Sequence, residues 1–116
     1  MPFTAINPTT GETIADHPEL TSKELRDVIV ASDRAAREWR TTPFALRAEI
    51  LRSAARLLLQ RQDGLAQLMA REMGKPVKQG RAEVLKCAWV CEYYAANAEA
   101  MLAPEMVVTE SSRSYV

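Results

Sequence analysis

The sequence predicts a mainly α-helical chain with an N-terminal β-hairpin, four helices and C-terminal strand material. Three observations carry this. Apolar residues recur at helical spacing through most of 22–102. Helix stops and starts punctuate that pattern at Thr42-Pro43, Asp63 and Gly74-Lys75-Pro76. Before residue 18 and after residue 103 the texture changes to short β-prone runs beside turn residues.

Phe3 to Ile6 and Thr13 to His17 read as strands, joined by the turn residues Asn7-Pro8-Thr9-Thr10-Gly11. The first helix is expected from Ser22 to Arg40. Thr21 and Glu24 form a capping-box pattern at its start. Leu25, Val28, Ile29, Ser32, Ala35, Ala36 and Trp39 make its stripe. After Thr42-Pro43 a second helix carries Leu46, Ile50, Leu51, Ala54, Leu57 and Leu58 on one side, with its arginines mainly outside that stripe. Asp63 is expected to cap a short third helix with Leu65, Leu68 and Met69 inward, closed by Gly74.

The fourth helix is the longest, from about Pro76 to Leu102. Its stripe is Val77, Val84, Cys87, Ala88, Cys91, Tyr94 or Ala95, Ala98 and Leu102. Trp89, Val90 and Tyr93 give it a second apolar side, the pattern of a helix covered all round. The three preceding helices are expected to supply one wall for it. Glu105 to Thr109 reads as a strand, Glu110 to Arg113 as a turn, and Ser114-Tyr115-Val116 as the start of another strand.

Composition bounds the function. Of 116 residues, 26% are charged and 47% apolar, an ordinary globular balance. Fifteen basic and fifteen acidic residues give zero net charge, which argues against a nucleic-acid surface or a polybasic membrane patch. No apolar run approaches a membrane span, and the N-terminus lacks the pattern of a signal peptide. Two cysteines in that context suit reduced thiols in a cytoplasm.

Each candidate for chemistry meets a plainer explanation. Cys87 and Cys91 share a helix face, but two more metal ligands are missing and the single histidine, His17, lies far away in sequence. A nucleophilic thiolate needs a base or a positive neighbour, and Lys86 points about 100° away around the helix. Both thiols are therefore expected to be buried as small apolar groups. Gly74-Lys75 fails as a phosphate loop, because Pro76 follows the lysine and Met69 stands where a glycine is needed. Glu72 and Glu83 suit exposed helix positions better than acid–base work. Ser111, Ser112 and Ser114 have no histidine partner. Trp39, Trp89, Tyr93 and Tyr94 suit a core or an interface. No catalytic, cofactor-binding or metal-binding residue is assigned.

Taken together, these motifs resemble a known family. Ile6-Asn7-Pro8-Thr9-Thr10-Gly11-Glu12, then Ala36-Arg37-Glu38-Trp39-Arg40 and Arg47-Ala48-Glu49-Ile50-Leu51-Arg52, are similar to NAD(P)-dependent aldehyde dehydrogenases. Glu72-Met73-Gly74-Lys75-Pro76, Glu83-Val84-Leu85-Lys86-Cys87-Ala88, Tyr93-Tyr94-Ala95 and Asn97-Ala98-Glu99-Ala100-Met101-Leu102 continue the series in order. The subgroup most resembled is the succinate-semialdehyde dehydrogenases.

The resemblance implies part of a larger α/β fold, whose parent oxidises an aldehyde to its acid with hydride transfer to NAD or NADP. In such enzymes a cysteine attacks the aldehyde and a glutamate activates water. Both residues, and the nucleotide site, are expected beyond Val116. Cys87 and Cys91 do not match the nucleophile's motif. Residues 1–103 are then expected to form the N-terminal helical part of a coenzyme-binding domain, and 104–116 the start of an oligomerisation-arm strand. Gln79 and Glu83 are the implied substrate-entrance residues. The chain alone is expected to be inactive and to bind no cofactor. Its partners would be the rest of the polypeptide and, in the parent, further copies in a homo-oligomer, with no nucleic acid or membrane. The alternative is a self-standing helical module that dimerises or binds a partner through Trp89, Val90 and Tyr93.

Overall fold

A computed structural model describes residues 2–110 and 115. Among these the chain forms two strands and four helices: β1 (Phe3–Ile6), β2 (Thr13–His17), α1 (Ser22–Arg40), α2 (Phe44–Gln60), α3 (Gln62–Met73) and α4 (Val77–Met101). The expected element order and nearly every boundary are met.

β1 and β2 pair antiparallel, with Phe3 opposite His17 and Ala5 opposite Ala15, and a bulge between Ala5 and Ile6. The turn closes through local chemistry. The Gly11 amide donates to the Asn7 carbonyl at 2.8 Å, and the Thr9 amide to the Asn7 side chain at 2.9 Å. Gly11 takes φ 76°, which a residue with a Cβ resists.

The Thr21–Glu24 capping box is present. The Glu24 amide donates to Thr21 Oγ1 at 3.2 Å, and the Thr21 amide donates to the Glu24 carboxylate at 2.8 Å. Those bonds from Thr21 hold the Glu24 carboxyl below its ordinary range. Gly74 ends α3 in the left-handed conformation, φ 67°, with its amide on the Ala70 carbonyl. Pro76 sits one residue before α4 begins.

The fold departs from expectation in its packing. α4 packs along α2 and α3, whereas α1 buries none of its residues. Two helices, not three, wall α4, and the α1 stripe from Leu25 to Trp39 is exposed. The radius of gyration is 20.6 Å, against about 13 Å for a compact domain of this length. The described residues therefore make an extended body.

The core is built from small residues. Ala55, Ala66, Val84 and Ala88 are its buried apolar side chains, and Gly80 is buried with them. A Cβ on Gly80 would come within 3.1 Å of Ala66 Cα, so α3 and α4 cross almost backbone to backbone. Leu46, Ile50, Leu57 and Leu68, expected inward, are exposed, because the contacting faces turn toward alanines instead.

Three further expectations change. Asp63 does not cap α3. Arg61 occupies that position, and the Asp63 carboxylate accepts from Arg81 Nε at 2.7 Å across to α4. Cys87 is exposed and Cys91 half-buried, so the thiols are not core groups here. The expected strand at Glu105–Thr109 reduces to one antiparallel bridge, Met106 to Tyr115. The expected turn and following strand fall mostly on Ser111–Ser114 and Val116, outside the described residues.

Candidate functional site

The two assigned entrance residues lie at the start of α4. Gln79 and Glu83 are one turn apart, so they share a side of the helix, and both are exposed. The Glu83 carboxylate pairs with Lys75 Nζ, which approaches from the α3–α4 junction. Lys75 is itself largely covered, with its side chain 26% exposed. Glu83 is thus engaged by a cation, not assembled with Glu72 for acid–base chemistry. Cys87 follows Glu83 by one more turn on that side.

The same junction receives the hairpin turn. A Cβ on Gly74 would stand 3.3 Å from Pro8 Cγ, so the Asn7–Gly11 turn lies against Gly74. The opening motif and the Glu72–Pro76 motif, sixty-odd positions apart in sequence, meet at this point.

A second feature was not visible in the sequence. Between the first half of α2 and the last turns of α4 lies an open cleft of about 540 Å³, lined by Trp39, Phe44, Ile50, Leu51, Tyr94 and Leu102 among others. The aromatics are not core residues. Trp89 is 62% exposed and stacks on Tyr93 with ring centroids 5.6 Å apart, and Tyr93 meets Tyr94 edge-on at 5.5 Å.

Among the described residues no group of His, Cys, Asp and Glu is disposed to hold a metal ion. No helix among them is long and apolar enough to cross a membrane. Among the described residues the arrangement offers a positioned carboxylate–ammonium pair, an open cleft, one exposed thiol and one half-buried thiol.

Known proteins match along the whole length. The model of the aldehyde dehydrogenase family matches residues 1–116. A succinate-semialdehyde dehydrogenase (NADP+) of Deinococcus radiodurans is 41% identical over 115 residues, 99% of this chain and 24% of that protein. A succinate semialdehyde dehydrogenase (NAD(P)+) of Escherichia coli K12 is 37% identical over 112 residues, 97% of this chain and 24% of that protein. The crystal structure of succinic semialdehyde dehydrogenase from Streptococcus pyogenes, in complex with NADP+, superposes with a TM-score of 0.90 at 28% identity. That superposition covers 97% of this chain and 25% of the other. The chain spans about a quarter of the length of the curated relatives it matches. By sequence and by fold, the chain belongs to the aldehyde dehydrogenase family.

Proposed function

We propose that this chain is the N-terminal scaffold segment of an NAD(P)-dependent aldehyde dehydrogenase, whose whole polypeptide oxidises an aldehyde of the succinic semialdehyde type to its acid. The single observation that carries this is the end-to-end match to succinate-semialdehyde dehydrogenases at about a quarter of their length. Residues 1–103 are the helical part of the coenzyme-binding domain, and 104–116 the start of an oligomerisation-arm strand. The chain by itself supplies neither nucleophile nor nucleotide site. In the parent, a cytoplasmic homo-oligomer, Gln79 and Glu83 border the substrate entrance, with Lys75 holding the Glu83 carboxylate in place.

Two features support the scaffold reading. The α1 stripe and the Leu85–Trp89–Tyr93 side of α4 are exposed apolar surfaces, a feature of protein–protein contacts. The core of alanines and one valine is small for a free-standing domain.

A chimera tests the proposal. Exchanging the corresponding quarter of the E. coli relative for this chain should leave a folded enzyme that reduces NADP+ with succinic semialdehyde. In that chimera Gln79→Ala or Glu83→Ala should raise KM with little change in kcat. A folded but inactive chimera would count against the proposal.

The exposed Trp89–Tyr93 stack also favours a second reading, a helical module that self-associates through α4. Light scattering separates the two. A discrete oligomer with cooperative melting, abolished by Trp89→Lys, is the outcome for the module. Absence of a discrete oligomer, unchanged by Trp89→Lys, is the outcome for the scaffold segment.

A further inference from the structure

Arg47 belongs to the first turn of α2, yet its side chain reaches back to the helix before it. One Nη2 donates to the Trp39 carbonyl at 2.8 Å and to the Arg40 carbonyl at 3.1 Å. Nε donates to the Thr42 carbonyl at 2.9 Å. These acceptors lie at the end of α1 and in the turn after it, where the intrahelical ladder has run out of donors. The same guanidinium sits 5.4 Å from the Trp39 ring centroid and 5.3 Å from that of Phe44. One planar cation therefore closes α1, spans the turn and lies against a ring from each helix.

Among the described residues α1 has few other ties. None of its residues is buried. Its ion pairs, Lys23–Asp27 and Asp33–Arg37, run within the helix and cannot fix its direction. The Thr41 hydroxyl on the Glu38 carbonyl and the Thr42 amide on the Trp39 carbonyl close the helix end without reaching α2. On the other side of the elbow, α2 is anchored to α4 through its buried Ala55. A helix of 19 residues, about 28 Å long, thus projects from an elbow whose cross-links converge on one side chain.

We infer that Arg47 is an elbow lock: its guanidinium fork sets the direction of α1 relative to the α2–α3–α4 unit, and α1 becomes a mobile arm when the fork is removed. The role needs the fork and not only the charge. A lysine ammonium is a point donor that can neither span three carbonyls nor lie flat between two rings.

Hydrogen–deuterium exchange on the whole 116-residue chain tests this with two variants, Arg47→Lys and Arg47→Met. In both, amides 37–42 should exchange about tenfold faster or more, the effect of losing a charge-assisted hydrogen bond. Amides 84–88 in α4 should keep their wild-type protection. With Trp39 as the sole tryptophan, in a Trp89→Phe background, its emission should shift to longer wavelength in both variants. Wild-type protection at 37–42 in Arg47→Lys would overturn the role assigned to the fork. An equal loss of protection in α4 would overturn the elbow role, since Arg47 would then support the whole fold.

Discussion

Gly74 closes α3 in the left-handed conformation and is the residue against which Pro8 of the hairpin turn rests, 3.3 Å from where a Cβ would lie. One position thus serves two purposes, ending a helix and receiving the N-terminal hairpin. Lys75 and Pro76 follow at once, so the hairpin, the end of α3 and the start of α4 are fixed together. Gln79 and Glu83 take their direction from that junction.

Gly74→Ala should destabilise the chain by about 1–2 kcal/mol. A left-handed backbone costs a residue with a Cβ about that much, and Pro8 leaves little room for relaxation. Urea unfolding followed by helix signal measures it. An unchanged midpoint would show that neither the cap nor the hairpin contact matters.

Glycines inside helices should respond in opposite directions. Gly80→Ala pushes a methyl to 3.1–3.3 Å from Ala66, including its backbone. Overpacking of about 1–3 kcal/mol should outweigh the gain of about 1 kcal/mol in helix propensity. Gly64 meets nothing within 4 Å, so Gly64→Ala should stabilise by about 0.5 kcal/mol. Thermal melts of the two variants should move apart, and a shared direction would contradict the close α3–α4 crossing.

The capping box should make the start of α1 acid-sensitive. Bonds from Thr21 depress the folded-state Glu24 pKa below its unfolded value, the ordinary 4.5. Its stabilisation is therefore complete above that value and is lost as pH falls through the lower folded value. An NMR titration of the Glu24 side chain should show the depressed midpoint, and Thr21→Ala should raise it only part of the way, because alanine keeps the backbone amide that donates to the carboxylate. Identical midpoints in the two proteins would remove the Thr21 hydroxyl as a cause.

Where the elements begin and end was legible because the signals are local. Thr21 with Glu24, Pro43, Gly74 and Pro76 act within a turn of themselves. Burial was legible only in part: Val84 and Ala88, both on the expected α4 stripe, are buried, whereas the rest depends on how closely two backbones approach. The spacing pointed to Leu46, Ile50 and Leu57, whereas the α3–α4 contact is set by Gly80 against Ala66 and the α2 contact by Ala55. Small residues carry little weight in a hydrophobic pattern. Asp63 misled for a related reason. Its carboxylate suits a cap, but Arg81 across the helix pair took it instead. Arg47 lay outside the expected stripe, and only the path of the chain shows the carbonyls it reaches. Gln79 and Glu83 came from the family resemblance, and the geometry adds the Lys75 partner to Glu83.

The central claim is that this chain carries scaffold and leaves the chemistry to residues it does not contain. The most direct measurement is the absorbance of NADPH when the purified chain is mixed with NADP+, succinic semialdehyde and a reducing agent. The account predicts no rate above a protein-free blank. Sustained NADPH production that a thiol-alkylating reagent abolishes would place a working nucleophile and nucleotide site within these 116 residues and contradict it.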